Sequence, residues 1–168
     1  MQLKKVDKRV YRSRLNVVIV ACVGCLAILS LSISQVLIQI FPSGEGTHFH
    51  WNLLGVVVAA GILGLTLMRL KTHSLMVEVA YVWDLKQALN LIYRKNRKLL
   101  LAAKQGNKEA MLALQFSYEG SRQLWTLDDN TITMDSLNQA QLQLDEWVEL
   151  YGVQLDITQY QSEILKKF

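Results

Sequence analysis

The stretch Leu15–Phe41, "LNVVIVACVGCLAILSLSISQVLIQIF", decides how the rest of the chain is read. No charged residue occurs from Leu15 to Gly44, and the run exceeds the roughly 20 residues a helix needs to cross the hydrocarbon core. A cleaved signal sequence would have an apolar region of only about 7 to 15 residues before a small-residue cleavage site. The run therefore predicts a transmembrane helix over 15–41, ended by Pro42, the only proline. A second uncharged run, Trp51–Met68, "WNLLGVVVAAGILGLTLM", is about the minimum spanning length and opens on an aromatic suited to the interface. With the loop 42–50 between them, the two runs predict a transmembrane hairpin over 15–41 and 51–68.

Basic residues orient it. Lys4, Lys5, Lys8, Arg9, Arg12 and Arg14 precede the first span, and Arg69 and Lys71 follow the second, while the loop holds neither lysine nor arginine. Excess positive charge marks the cytoplasmic side, so both termini are expected there. Residues 1–14 carry six basic residues against Asp7, a net of +5; residues 69–168 carry twelve of each sign. The chain's basicity thus belongs to the membrane tail, and nucleic acid is not an expected partner.

Residues 69–168 read as an all-α cytoplasmic domain, since no alternating strand pattern occurs. Leu75 to Gln105 reads as one long helix stopped by Gly106, with Leu75, Val82, Leu89, Asn96 and Ala103 seven apart. That stripe suits one face of an intramolecular bundle, with a dimeric coil as the alternative and a homo-oligomer left open. Asn107 can cap a second helix to about Trp125, whose Met111, Leu114, Tyr118 and Trp125 share a face. Thr133 or Asp135 can cap a third to Tyr151, stopped by Gly152. Asp156 with Gln159 resembles a capping box opening a short last helix toward Phe168.

Charge divides this domain. Residues 69–108 hold nine basic and two acidic residues, and 109–168 hold three and ten. The simplest account lays the basic helix against acidic helices of the same or a sister chain. Its sharpest cluster, "YRKNRK" (Tyr93–Lys98), makes Arg94, Lys95, Arg97 and Lys98 the candidate interaction surface. On a straight helix Arg94 would stand roughly 37 Å beyond Arg69, at about 1.5 Å per residue. That exceeds the Debye length of about 8 Å and argues against lipid contact. A solvated or acid-paired face is the expectation.

Little else points to chemistry. His48 and His50 flank Phe49 near Glu45, which is too few ligands for a structural zinc site, and beyond His73 there is neither histidine nor cysteine. No phosphate loop, nucleophile elbow or dinucleotide fingerprint is present. Asp128 and Asp129 before Asn130 read as a turn and cap rather than a Mg²⁺ site. "GNKEAMLALQFSYEG" has the spacing of one tetratricopeptide-like unit, but such units need about three copies to bury a core. No catalytic residue, metal or cofactor is expected.

Within the spans, Gly55 with Ala59 and Ala60 with Gly64 have small-xxx-small spacing, and Ala21 and Gly24 offer a matching surface on the first helix. Cys22 and Cys25 sit on that face as packing residues, because thiols in apolar surroundings are inert. "FHWNLLGVVVAAG" (49–61), "YVWDLKQALN" (81–90) and "FSYEGSRQLWTLDDNT" (116–131) resemble an uncharacterised family of bacterial inner-membrane proteins, catalogued as a domain of unknown function. The resemblance covers nearly the whole chain and implies a bacterial origin and the same membrane placement, with no activity to carry over. The expected function is a non-enzymatic scaffold or interaction module at the cytoplasmic face of the inner membrane, with the bilayer and another protein as partners. The alternatives are a membrane-bound enzyme or redox component using Cys22 and Cys25, and a small transporter subunit.

Overall fold

Residues 2–42, 47–130 and 132–168 are described by the computed structural model of the chain. Glu45, with Ser43, Gly44 and Gly46 of the loop expected at 42–50, lies outside them. Among the described residues all regular structure is helical, as the all-α reading requires. The order is α1 (Lys8–Ile40), α2 (Phe49–Leu70), α3 (Val77–Tyr93), α4 (Asn96–Lys104), α5 (Lys108–Asp128) and α6 (Met134–Leu150), then 3-10 turns at Ile157–Gln159 and Ser162–Lys167. The chain divides into two compact units, residues 9–80 and residues 81–168 with the segment before Arg9.

In the first unit, α1 starts at Lys8, so the basic residues from there to Arg14 form its opening turns ahead of the apolar run. Both α1 and α2 are long and apolar enough to cross a membrane. Their large side chains point outward: Val20 is 72% exposed and Leu65 66%. Between Phe41 and Trp51 the rings stack at 5.1 Å. A Cβ on Gly55 would lie 2.1 Å from Ser34 Oγ and 2.9 Å from the Ser30 carbonyl oxygen, so only glycine permits this approach. One turn on, Ala59 is fully buried. The surface that receives Gly55 is Ser30 and Ser34, not Ala21 and Gly24: Ala21 is exposed and the space around Gly24 is open. Two serines four apart are as small as the expected pair, and the turn position of the hairpin selects them. At the other end, Arg14 pairs with Glu78 and donates to the Ser74 carbonyl at 2.7 Å.

The second unit is built around α5. Ala110 to Leu114, Phe116 and Gly120 are buried, so this helix is enclosed on all sides over residues 110–114 rather than along one face. Around it lie α4, α6 and both 3-10 turns. A Schellman ending joins α4 to α5: Gly106, at φ 85°, donates to the Ala103 carbonyl and Asn107 to that of Ala102. Asn107 then caps α5, its side chain accepting from the Ala110 N–H at 3.0 Å. Near Gly120, where a Cβ would come within 3.0 Å of Leu89, the Leu85 and Leu89 side chains of α3 close in.

Two expectations are corrected. The helix expected over 75–105 breaks after Tyr93, and Lys95 at φ −110° and ψ 4° separates α3 from α4. "RKNRK" is the weakest place in it, because like charges three and four apart repel by about 0.2–0.5 kcal/mol per pair and asparagine is a poor helix former. The straight-rod estimate for Arg94 falls with it. Val82, Leu85, Leu89, Ile92, Leu99 and Ala103 are nonetheless buried within the chain, whereas Leu75 is 56% exposed. The second correction concerns the last helix, which is two 3-10 turns. Asp156 accepts from the Thr158 N–H and Gln159 donates back to it, but Tyr160 and Gln161 are extended. The cause is Tyr160, whose ring stacks on Phe116 at 4.1 Å and pulls the chain out of helix.

The Tyr160 hydroxyl is buried and has no hydrogen-bond partner among the described residues. Burial, and secondarily Glu163, push its pKa up to about 12. An unfolded phenol titrates near 10, so the folded form holds this proton more tightly and stability falls as pH rises from about 10 toward 12. Tyr160→Phe removes both the uncompensated hydroxyl and this titration. Its thermal midpoint is expected above wild type by the equivalent of about 1 kcal/mol, with the gap widening from pH 10 upward. A lower midpoint at neutral pH would show that the hydroxyl is satisfied.

Candidate functional site

The break between α3 and α4 gathers the candidate cations. Lys95 Nζ donates to the Leu165 carbonyl and Lys98 Nζ to the Phe168 main-chain oxygen, so the last 3-10 turn is held by the cluster. The Leu165 carbonyl also accepts from the Phe168 N–H, so the turn and the lysine share it. No carboxylate side chain pairs with Arg94, Lys95, Arg97 or Lys98 among the described residues, so within one chain this cluster is not acid-paired. Farther back on α3, Lys86 reaches Asp128 at 3.2 Å, the one place where the expected pairing of basic and acidic halves is direct among the bridges seen here. The packing of α4 is apolar instead, through Leu99 and Ala103.

The second arrangement was invisible in the sequence. The segment before α1 lies on the second unit and is clamped by main-chain recognition. Tyr81 Oη accepts from the Lys4 N–H at 2.8 Å and donates to Gln123 Oε1 at 3.0 Å, while Gln123 Nε2 donates to the Lys4 carbonyl. Both polar groups of one peptide residue are thus satisfied by two side chains that also bond each other. Leu3 packs against the core beside Gly120, and Lys8 pairs with Asp129. Alongside runs an open groove of about 530 Å³ whose walls include Val6, Glu119, Arg122 and Gln123. Its amides are linked, Gln141 donating to Gln115 and Gln115 to Glu119, each at 2.8 Å. Residues 4, 81 and 123 come from three distant segments, so no spacing in the sequence signals the clamp.

The remaining candidates take structural places. Asp129 ends α5 in the left-handed region at φ 55°. His50 lies against the Trp51 ring at 4.8 Å. Cys22 is half-buried and Cys25 exposed on α1. Ala60 is exposed and the space around Gly64 is open. Among the described residues no three histidine, cysteine, aspartate or glutamate side chains converge as metal ligands.

A family model described as Protein of unknown function (DUF3087) matches residues 1–165. The chain belongs to this family. No curated protein and no solved structure matches it. The DUF3087 match spans both compact units, so the clamped segment, α5 and the α3–α4 break all lie within the family's own extent.

Opening the clamp should be measurable. In Gln123→Ala the Lys4 carbonyl loses its donor, a loss of about 0.5–1.5 kcal/mol, which favours release of the segment about 2- to 12-fold. Faster amide exchange over residues 2–8 and faster tryptic cleavage after Lys4 and Lys5 are expected, with protection of α5 unchanged. Equal exchange in variant and wild type would refute the clamp.

Proposed function

We infer that the chain is a two-span protein of the bacterial cytoplasmic membrane with both termini inside, and that its C-terminal helical unit acts by binding, as a scaffold or interaction module. The observation that carries the membrane reading is the packing of residues 2–8 onto residues 81–168 in one unit. That packing supports placing the two flanks of the α1–α2 hairpin on one side of a membrane, as two spans would give. Only 6% and 11% of the most apolar 18-residue stretches of α1 and α2 is buried within the chain, where a core helix of a soluble protein would be mostly buried. The cations before α1 and after α2 favour the cytoplasm for the shared side.

The binding reading is supported by the amide-lined groove on α5 and α6. Gln123 already holds the Lys4 peptide, and Gln115 and Gln141, bonded to each other, line the same groove; side-chain amides of this kind suit an extended segment of a protein partner.

Topology is tested by fusing a periplasm-active reporter after Phe168 and washing native membranes with alkaline carbonate. The expected result is a silent reporter and retention in the pellet; an active reporter, or release into the supernatant, would overturn the placement. For the scaffold reading, proteins captured by the tagged chain from native membranes should be lost in Gln115→Ala/Gln141→Ala. Capture of nothing specific, or capture indifferent to those changes, counts against it.

A further inference from the structure

The helix break does more than redirect α4. Leu91, Arg94, Lys95, Arg97, Lys98 and Phe168 line one open cavity of about 520 Å³. Four of these six residues are cations, and no carboxylate side chain is among them. On an unbroken, isolated helix the same four would spread over a solvated face and each would gather its own water and counterions. Here Lys95 and Lys98 are fixed in place by the main-chain oxygens of Leu165 and Phe168. The guanidinium groups of Arg94 and Arg97 have no hydrogen bond or ion pair among the described residues.

We propose that the cavity at the α3–α4 break binds a ligand bearing a multiply charged phosphoryl group. Two planar guanidinium forks fit tetrahedral phosphate oxygens bidentately, and ammonium groups held at the rim add point charge without further ordering cost. The volume exceeds what one phosphate fills, and Leu91 with Phe168 gives an apolar wall for the carbon portion of the ligand. That chemistry is common to the headgroup of an acidic phospholipid and to a soluble organic phosphate. The site does not depend on the topology inferred above, because its occupancy can be read on the chain in detergent.

The experiment is calorimetric titration of the full chain in a neutral maltoside detergent with three probes: inorganic pyrophosphate, dihexanoyl phosphatidic acid, and dihexanoyl phosphatidylcholine as the neutral control. The variant Arg94→Gln/Arg97→Gln removes the two unpaired guanidinium groups and leaves the anchoring lysines in place. Lys104→Gln/Lys108→Gln removes the same charge from exposed positions outside the cavity.

Wild type is expected to bind pyrophosphate or the phosphatidic acid at least tenfold more tightly than the arginine variant, with the lysine variant close to wild type and thermal midpoints alike. Binding of pyrophosphate identifies a soluble ligand; binding of the phosphatidic acid alone identifies a headgroup. Equal loss in both variants would mean diffuse electrostatics and would overturn the site, as would no binding of either phosphate probe. A single-stranded RNA oligomer that binds where both small probes fail would also overturn it, in favour of a polyanion surface.

Discussion

The second unit depends on the enclosure of α5. Burial of the five consecutive residues Ala110 to Leu114 and of Phe116 means that this part of the helix is stable only while α4, α6 and the two closing turns cover it. Each covering element is shaped by this demand. α4 is cut short and turned by the Gly106 ending so that Leu99 and Ala103 reach α5, and the stretch after α6 forgoes a helix so that Tyr160 can lie on Phe116. A ring centred 4.1 Å from another contributes more through burial and dispersion than one turn of exposed helix would.

The same helix also receives the start of the chain. Leu3 enters beside Gly120, and the Lys4 peptide is bonded on both edges by Tyr81 and Gln123. A connection through backbone groups tolerates changes in the side chains of the segment, whereas Lys8 with Asp129 sets where the segment ends and α1 begins. An element that precedes the first apolar helix is thereby part of a unit formed mostly after the second. Nothing in the local composition of "QLKKVDK" distinguishes it from a solvated basic tail.

Charge plays two roles. Exposed pairs such as Lys86 with Asp128 contribute about 0–1 kcal/mol each and do not hold the unit together. At the α3–α4 break Lys95 and Lys98 are engaged with main-chain oxygens instead, while Arg94 and Arg97 have no hydrogen bond or ion pair among the described residues. The division of the domain into basic and acidic halves is therefore real in the sequence, but it is not the packing principle of the fold.

How much was legible follows from the range of each determinant. The apolar runs, the α5 start capped by Asn107, and the stops at Gly106 and Gly152 were read from the sequence because a span, a cap and a left-handed residue are set by neighbours within a few positions; α6 also starts next to Thr133, but without a hydrogen bond from its side chain. Of the heptad stripe, Val82, Leu89 and Ala103 are buried, but two helices carry them and Leu75 is exposed. The break at Lys95, the extended Tyr160, the partners of Gly55 and the clamp at Lys4 were decided only in the tertiary structure. In each, two or more alternatives were nearly equal locally: helix or turn for "RKNRK", Ala21 with Gly24 or Ser30 with Ser34 for the hairpin. Contacts tens of residues away tipped the balance, since the free energy of filling a core exceeds the few tenths of a kcal/mol that separate local conformations.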